Sequence, residues 1–409
     1  MGTNDRIAVA VIGIGFSSGQ NHLWGLCQNA SDNNIVVAAA CDVFDKRRAL
    51  AAKAAKLKTA DVYSDYRRVL ERKDIDAVLI ATHDPLHARI SLDAMDAGKH
   101  VYCERPLTRH LEEAFAVYDK AKYLGKTFQV GVQSCSAEGW QRCSDLVLAG
   151  KIGTLVWSEG YYCRNGGPGC EGNGLIDKDS TAESIDWNRW LGPVKRRPFS
   201  GVLFHQWRMY SDYSAGLLAC QAPQRLHALM LSSGRPEFPV RVNCVSGHHL
   251  ERTDQIGRPY SGQLPAHVQL TAEFPSGNLI TLTCSWMNGR SPGLTIHGHK
   301  ASLEIGASGD RIEMIPEKEF GEEVKPEAVL GLKPEDIREH ERNWFNCIRS
   351  GSQPNADIEL AIRAQTVLSL AEMSDKLKTT CLFDETTRKV TDGLGREIVP
   401  LTYEIPADK

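Results

Sequence analysis

The chain has 409 residues, which is too long for one compact core and indicates two domains. Its contents of 42% hydrophobic and 24% charged residues are ordinary for a soluble globular protein. The net charge of −3, without a basic cluster, argues against nucleic acid or a membrane surface as partner. No apolar run reaches the ~20 residues that span a bilayer.

The N-terminus and the cysteines indicate the compartment. The opening residues "MGTNDRIAVAVIG" lead straight into a predicted strand and lack the basic and apolar regions of a secretory signal. The 12 cysteines are scattered, with no Cys-x-x-Cys pair and no metal-like spacing with histidine. We therefore predict a cytoplasmic protein without disulfides or a structural metal.

Short apolar runs alternate with helical patterns over the first third of the chain. The predicted strands are 7–12, 35–41, 77–81, 100–103 and 128–132. The predicted helices are 21–28, 44–55, 66–71, 86–97 and 111–124. Continuous apolar strands separated by helices are typical of a parallel sheet covered on both faces. We predict an α/β protein whose residues 1–133 form a Rossmann domain, a doubly wound parallel sheet.

The first strand runs into "GIGFSSGQNHL", a glycine loop that opens a helix. Gly13 and Gly15 have the spacing of a dinucleotide-binding motif, but Ser18 stands where the third glycine belongs and Gly19 follows it. In such motifs the backbone approaches the pyrophosphate, which rests on the helix N-terminus. The predicted cofactor contacts of this loop are Gly13, Gly15, Phe16 and Ser17.

An acidic residue, Asp42, ends the second predicted strand in "AACDVFDKRR". A carboxylate there accepts hydrogen bonds from the adenosine ribose and repels a 2′-phosphate, which favours NAD. Lys46, Arg47 and Arg48 form the opposite signal, because they suit NADP. We predict NAD as the cofactor, with Asp42 and Arg47 among its contacts and NADP as the less favoured alternative.

Seven segments together resemble the glucose–fructose oxidoreductase and inositol dehydrogenase family (Gfo/Idh/MocA), in particular a bacterial branch that acts on sugars and glycosides. They are "VIGIG", "CDVFDKR", "ATHDPLHARISLDAMDAGKHVYCERPL", "VGVQ", "IDWNRWLGPVKRRPF", "QWRMYSDYSAG" and "HERNWFNCIRSGSQPNADIELAIRAQTVLSLAEM". The resemblance implies that residues 134–409 form an α+β domain with an open, largely antiparallel sheet and helices on one face. It also implies a homo-oligomer, a dimer or tetramer.

The pattern beyond residue 133 agrees with such a domain. Strand-like stretches lie at 155–162, 240–246, 268–274, 279–285 and 301–305, separated by Gly and Pro turns. Late helices are predicted at 337–350 and 358–377.

The resemblance also implies the site. The positions that match its nicotinamide contacts are Thr82, Asp84, His87, Glu104 and Gln133. The family usually has Glu-Lys-Pro, whose lysine helps to move the substrate proton, but here Arg105 follows Glu104. A guanidinium stays protonated, so Arg105 cannot be a general base, although it can orient a hydroxyl or stabilise negative charge on oxygen.

A second landmark of the family is altered as well. Cys220 and Gln224 stand where an Asp or Asn and a His are usual, and a neutral amide cannot accept the substrate proton. His205 and Tyr213 are the favoured replacements, with core packing as the alternative for Tyr213. The predicted catalytic residues are Arg105, Gln224, His205 and Tyr213.

The substrate side offers a glycine-rich stretch at 161–186, which fits a lid and a plain surface insertion equally well. Five of the eight tryptophans lie between Trp140 and Trp207, where they would stack on sugar rings or pack in the core. The pairs at His248-His249 and at His297 and His299 lack the acidic or cysteine partners of a metal site.

We therefore predict an NAD-dependent oxidoreductase that acts on a secondary hydroxyl of a sugar or glycoside. One alternative is redox-neutral, a glycosidase or lyase that oxidises the sugar transiently with bound NAD, as in the NAD-dependent α-N-acetylgalactosaminidases, which also lack the lysine. Another is an NAD-binding sensor or partner protein with weakened catalysis.

Overall fold

The computed structural model of the protein describes residues 5–16, 18–165, 176–253 and 259–403. Its first sheet has six strands in the order β3-β2-β1-β4-β5-β6, all parallel. They are β1 (Ile7–Ile12), β2 (Ile35–Cys41), β3 (Val62–Tyr63), β4 (Ala77–Ile80), β5 (His100–Glu104) and β6 (Phe128–Gly131). The strand order reverses between β1 and β4, which is where ligands bind in folds of this kind.

Helices cover both faces of this sheet, as predicted. They are α1 (Ser18–Gln28), α2 (Asp45–Ala54), α3 (Tyr66–Leu70), α4 (His87–Asp96) and α5 (Leu111–Leu124). In β1, Val9 and Val11 enter one buried cluster while Ala10 and Ile12 enter the other. Successive side chains point to opposite faces, so burial of both faces requires the continuous apolar runs seen in the sequence.

The second sheet has ten strands in the order β14-β13-β12-β11-β7-β10-β9-β8-β15-β16. They are β7 (Leu155–Cys163), β8 (Arg241–Thr253), β9 (Pro259–Glu273), β10 (Leu279–Ser285), β11 (Leu294–Gly298), β12 (Ala301–Ile305), β13 (Arg311–Pro316), β14 (Glu327–Leu330), β15 (Cys381–Phe383) and β16 (Val390–Asp392). Neighbours are antiparallel except β7 and β10, which are parallel. The predicted open, largely antiparallel sheet is confirmed.

Seven further helices accompany the second sheet within the described residues. They are α6 (Glu138–Leu148), α7 (Trp187–Leu191), α8 (Gly201–Gln206), α9 (Leu217–Cys220), α10 (Ala222–Ser232), α11 (Ile337–Ser350) and α12 (Ile358–Leu377). α10 and α12 pack on the sheet and on each other. In the part of the chain that the structure describes, no helix is both long and apolar enough to cross a bilayer.

Helix α11 packs on the first half of the chain although it follows the second sheet in sequence. Trp344 and Phe345 are fully buried in the same cluster as Val9 and Leu23. Arg349 donates hydrogen bonds to the carbonyl groups of Asn33 and Asn34, at 2.5 and 3.0 Å. The first sheet is therefore covered partly by a distant segment, and the domain boundary after residue 133 stays a prediction.

Candidate active site

A cavity of about 1490 Å³ lies at the carboxyl ends of β1, β2, β4 and β5, between the first sheet and residues of the second half. Small-molecule pockets measure roughly 300–1,000 Å³, so this one has room for a dinucleotide together with a substrate. The predicted site residues that line it are Gly13, Gly15, Phe16, Asp42, Arg47, Thr82, Glu104, Arg105 and His205. The second half contributes other residues that the sequence did not single out, among them Trp190, Phe204 and Arg208.

The glycine loop has the geometry of a phosphate cradle. Gly13 has φ +89°, and a Cβ there would lie 2.6 Å from the Ala81 carbonyl oxygen. A Cβ on Gly19 would lie 2.2 Å from the Gly13 carbonyl oxygen, whereas one on Gly15 would meet no protein atom within 4 Å. Gly19, in the first turn of α1, therefore takes the role of the third glycine of the motif, which lets the helix pack closely against the loop. Ser17 lies outside the described residues, so its predicted contact stays a prediction.

Because the Gly19 contact leaves no room for a methyl group, we expect Gly19→Ala to distort the loop while the rest of the protein stays folded. Forcing an extra methyl group into a packed site costs about 1–3 kcal/mol. If the distorted loop loses that much binding free energy, NADH affinity falls roughly 5- to 150-fold, which fluorescence titration measures. Gly25→Ala in the same helix is the matched control, since the nearest atom to its Cβ is 3.8 Å away. Unchanged NADH affinity in Gly19→Ala would contradict this account of the loop.

Asp42 connects the loop to the end of β2. Its Oδ2 accepts a hydrogen bond from the Ile14 N–H at 2.7 Å, and its Oδ1 accepts one from the Phe44 N–H at 2.8 Å. Each carboxylate oxygen has a second lone pair, so Asp42 keeps acceptor capacity for a ribose hydroxyl. With the glycine cradle beside it, this end of the cavity fits the adenosine and pyrophosphate of a dinucleotide.

The three cations after Asp42 have different partners. Arg48 donates to the Asp42 carbonyl oxygen at 2.9 Å, and Lys46 pairs with Asp177 and Asp179 at 2.9 and 2.7 Å. Arg47 lines the cavity, with its guanidinium carbon 4.7 Å from the centroid of the Phe204 ring. Arg47 Nη1 also lies 3.9 Å from Asp42 Oδ2. All three cations thus contact protein groups, and Arg47 is the one whose partner is the Asp42 side chain.

Residues of the second half form a wall at this end of the cavity. Phe44 and Ile185 make an antiparallel bridge, the Asp45 N–H donates to the Ser184 carbonyl, and the Asp186 N–H donates to the Val43 carbonyl, both at 3.1 Å. The segment 176–186 is therefore joined to the loop after β2 by backbone hydrogen bonds. Residues 166–175, the middle of the predicted lid, lie outside the described residues.

The loop after β4 puts His83 and Thr82 at the cavity and buries Asp84 and His87 beneath them. The His83 ring stacks on Trp190, with centroids 4.6 Å apart, and burial lowers the pKa of His83 to about 3. His87 reaches the Pro106 carbonyl at 2.7 Å and the Thr82 carbonyl at 3.2 Å, so it joins the ends of β4 and β5. Sequence reasoning missed His83 and Trp190, whose stacking depends on the tertiary fold.

Glu104 and Arg105 follow each other at the end of β5, and both line the cavity. His22 of α1 lies between two carboxylates, with Nε2 2.9 Å from Glu104 Oε1 and Nδ1 2.6 Å from Glu341 Oε1. Burial would raise the pKa of Glu104, but the hydrogen bond and charge of His22 and the charge of Arg105 outweigh it and lower that pKa. Neither His22 nor Glu341 was among the residues predicted from the sequence.

Of the four predicted catalytic residues, the structure brings Arg105 to this end of the cavity. His205 lies at the Asp42 end, where its ring contacts Phe204 and its Nε2 is 2.6 Å from Ser180 Oγ. Burial, followed by the charge of Arg47, lowers the pKa of His205 to about 4. His205 is therefore beside the predicted ribose position rather than beside Glu104.

Tyr213 and Gln224 do not line the described part of the cavity. Tyr213 is fully buried, stacks on Trp190 at 5.0 Å, and has its pKa raised by burial to about 12. The Gln224 side-chain oxygen is buried without a hydrogen-bond partner among the described residues. Gln133 begins a 3₁₀ turn after β6 and also lies off the cavity lining. For Tyr213, the position is the one expected from the alternative of core packing.

The described residues contain no group of three or more His, Cys, Asp or Glu side chains placed to hold a metal ion. His297 stacks on Trp157 and reaches Ser302 Oγ at 2.9 Å and Glu159 Oε1 at 3.4 Å. Glu159 is an acidic partner of His297 that the sequence did not indicate, because it comes from a different strand. The side chains of His248 and His249 lie outside the described part.

Comparisons with known proteins agree with this geometry. Residues 7–132 match the model of the family GFO_IDH_MocA, described as an oxidoreductase family with an NAD-binding Rossmann fold. The inositol 2-dehydrogenase of Burkholderia cenocepacia (strain HI2424) is 30% identical over 284 residues, which cover 68% of this chain and 80% of the relative. Inositol 2-dehydrogenase 3 of Saccharopolyspora erythraea is 28% identical over 63% of this chain and 73% of its own.

Solved structures share the fold over nearly the whole chain. A levoglucosan dehydrogenase in complex with NADH superposes with a TM-score of 0.71 at 20% identity, covering 92% of this chain and 98% of the other. An oxidoreductase domain protein from Kribbella flavida gives 0.72 at 20% identity, over 93% and 100%. The glycine loop, the acidic end of β2 and these relatives lead to one assignment. The chain belongs to the Gfo/Idh/MocA family of NAD-binding oxidoreductases.

Proposed function

We propose that the protein oxidises a secondary hydroxyl of a sugar, a glycoside or a similar polyol, with NAD as the hydride acceptor. The observation that carries this proposal is the pair Glu104 and Arg105 at the cavity, on the same sheet edge as the glycine loop and Asp42. The inositol and levoglucosan dehydrogenases among the relatives support the substrate class.

In this proposal the Gly13–Ser18 loop holds the pyrophosphate, Asp42 the adenosine ribose, and Thr82 with Glu104 the nicotinamide side. Bound NAD would accept a hydride from the carbon that carries the hydroxyl. Arg105 donates a charge-assisted hydrogen bond to the substrate oxygen and stabilises the negative charge that develops there. Glu104 presents a carboxylate beside it that can accept the hydroxyl proton as the hydride leaves, so that the alcohol becomes a ketone. The buried aromatic residues Trp190 and Trp207 keep water from this end of the cavity.

The test is to incubate the purified protein with NAD⁺ and a panel that contains myo-inositol, levoglucosan, glucose and aryl glycosides. The proposal expects NADH absorbance to rise with one class of polyol. Glycoside cleavage without net NADH would instead support the redox-neutral alternative, and NADH binding without any turnover would support the sensor. The same preparation shows whether NAD(H) is retained during purification.

Asp42 also decides the cofactor in this proposal. We expect Asp42→Ala to lower NADH affinity roughly 10- to 150-fold, because hydrogen bonds to a charged group contribute about 1.5–3 kcal/mol each. The loss for NADPH should be smaller, since Asp42 repels a 2′-phosphate and Arg47 remains. Titration of both nucleotides measures this preference, with Arg47→Ala as the matched control that weakens NADPH more than NADH. Equal NADH affinity in Asp42→Ala and wild type would refute the assignment.

We also propose a homo-oligomer formed through the second sheet. Val245 is 65% exposed and Trp157 41% exposed on strands of this sheet. Light scattering of the full chain measures the assembly. We likewise propose that the protein is cytoplasmic and that its domain boundary lies between residues 133 and 134.

A further inference from the structure

Three side chains from distant parts of the sequence form a buried chain that ends at the cavity. We call Glu104, His22 and Glu341 the acid–histidine–acid triad. They come from the end of β5, from α1 and from α11, and the two acidic partners flank the imidazole at 2.9 and 2.6 Å. The side chains of His22 and Glu341 are 3% and 1% exposed, whereas Glu104 borders the cavity.

The geometry determines the charge of His22. Both of its ring nitrogens face carboxylate oxygens, which only accept hydrogen bonds, and a neutral imidazole has a single N–H. Burial disfavours the charged ring, but the hydrogen bonds and charges of Glu104 and Glu341 outweigh burial and raise the pKa of His22. Within the triad, an imidazolium therefore neutralises one of two buried negative charges.

The same contacts set the orientation of Glu104. His22 engages its Oε1, and the residue borders the cavity. Gly131 pairs with Glu104 across β5 and β6, and a Cβ there would lie 2.5 Å from Glu104 Oε1. The absence of a side chain at Gly131 thus leaves room for the Glu104 carboxylate in this position.

We propose that His22 is a positioning residue, which holds the Glu104 carboxylate beside Arg105 with one oxygen presented to the cavity, while Glu341 anchors His22 from behind. This inference rests on the proposed function only in that Glu104 faces a bound ligand. Burying three ionisable groups together costs desolvation free energy, and here the group at the end of the chain is a carboxylate that lines the cavity.

The charged and titratable groups around the triad come from every element that packs on it. They are Arg105, His87, Tyr102, His340 and Asp336. Burial lowers the pKa of His340 to about 4, so this ring is neutral at pH 7. With His22 removed, two carboxylates would remain in a buried site without the imidazolium between them, and burial already raises the pKa of Glu341. The pair of carboxyl groups would then take up a shared proton at a higher pH than in the wild type.

The first experiment needs no substrate. The protein labelled with ¹⁵N-histidine is compared by NMR with His22→Gln, which assigns the His22 ring signals. We expect both ring nitrogens of His22 to stay protonated at pH 8, where an ordinary histidine is neutral. A neutral ring at that pH would overturn the inference whatever the protein's activity.

The second experiment uses a substrate found with the polyol panel and follows kcat/KM against pH. For His22→Gln we expect a roughly 10- to 100-fold loss at pH 6 that recovers toward pH 9, since the Glu104–Glu341 pair loses its shared proton as the pH rises. In His22→Gln/Glu341→Gln the repulsion is gone, so the acid limb should return to lower pH. A loss that is equal at every pH, or an acid limb that the second substitution does not move, would indicate a purely structural His22.

The double variant also protects the test against misfolding, because removing both charges of a buried pair costs less stability than removing one. NADH titration accompanies each variant. If the wild type binds NADH but turns over no polyol, the proposed function fails while the NMR result still decides the charge of His22.

Discussion

Replacing Arg105 with alanine is expected to lower kcat about 10²- to 10³-fold, the loss typical of removing a donor that stabilises charge on a reacting oxygen. Arg105 borders the cavity, and its charge helps to lower the pKa of Glu104. Its removal therefore takes away the donor to the substrate oxygen and one of the charges that keep Glu104 ionised. The glycine loop and Asp42 are untouched. We therefore expect NADH to bind with nearly unchanged affinity.

The matched control is Arg105→Lys, which keeps the positive charge but loses the planar fork of donors. We expect an intermediate loss of about tenfold in kcat, since a lysine ammonium donates fewer fixed hydrogen bonds. Stopped-flow or steady-state NADH formation measures both variants, and circular dichroism reports the fold. Wild-type turnover in Arg105→Ala would remove Arg105 from the mechanism.

A second large effect concerns the buried pair of Arg109 and Glu372, which joins the chain after β5 to α12. Arg109 donates from Nη1 and Nη2 to the two Glu372 oxygens at 2.7 and 2.8 Å, and from Nη2 to the Ser211 carbonyl at 2.8 Å. Their side chains are 2% and 9% exposed. Arg109→Met leaves the buried Glu372 carboxylate with Lys376, at 2.8 Å, as its remaining cation. We therefore expect the free energy of unfolding to fall toward the lower end of the range of about 3–5 kcal/mol seen for broken buried pairs.

Urea unfolding of Arg109→Met and of Arg109→Met/Glu372→Met measures this loss, and the double variant should recover part of it. The pH dependence gives an independent check. Burial would raise the pKa of Glu372, but the charge and hydrogen bonds of Arg109, followed by those of Lys376, outweigh burial and lower it from 4.5 to about 2. The pair's stabilisation is thus present above pH 4.5 and lost as the pH falls toward 2. An equal acid dependence in Arg109→Met and wild type would contradict this role.

The first half of the fold was predictable because its strands are buried on both faces. The predicted runs 7–12, 35–41 and 100–103 agree with β1, β2 and β5 to within one residue. The short strands β15 and β16, of three residues each, escaped prediction. Their place in the sheet depends on pairing with β8 and with each other, which local patterns do not encode.

The residues of the candidate site also fall into a group whose position was predictable from the sequence and a group whose position was not. Asp42, Glu104 and Arg105 end parallel strands, and such ends meet at one edge of the sheet, so their place at the cavity follows from the topology. The positions of His205, Tyr213 and Gln224 depend on how the second half of the chain packs against the first. Separation along the sequence does not reveal this packing. The contact of His22 with Glu341 spans 319 residues, and its signal in the sequence was a single histidine on the buried face of a helix.

The packing of α11 on the first sheet has a consequence for synthesis of the protein. Residues 1–133 leave the ribosome roughly 210 residues before Trp344 and Phe345, which complete the buried cluster around Val9 and Leu23. At about 5–20 residues per second, that interval lasts roughly 10–40 s. During this time the nascent first half exposes the apolar side chains that Trp344 and Phe345 later cover, and His22 lacks its partner Glu341. We expect it to reach its native stability, and its resistance to proteolysis, only after α11 has been made.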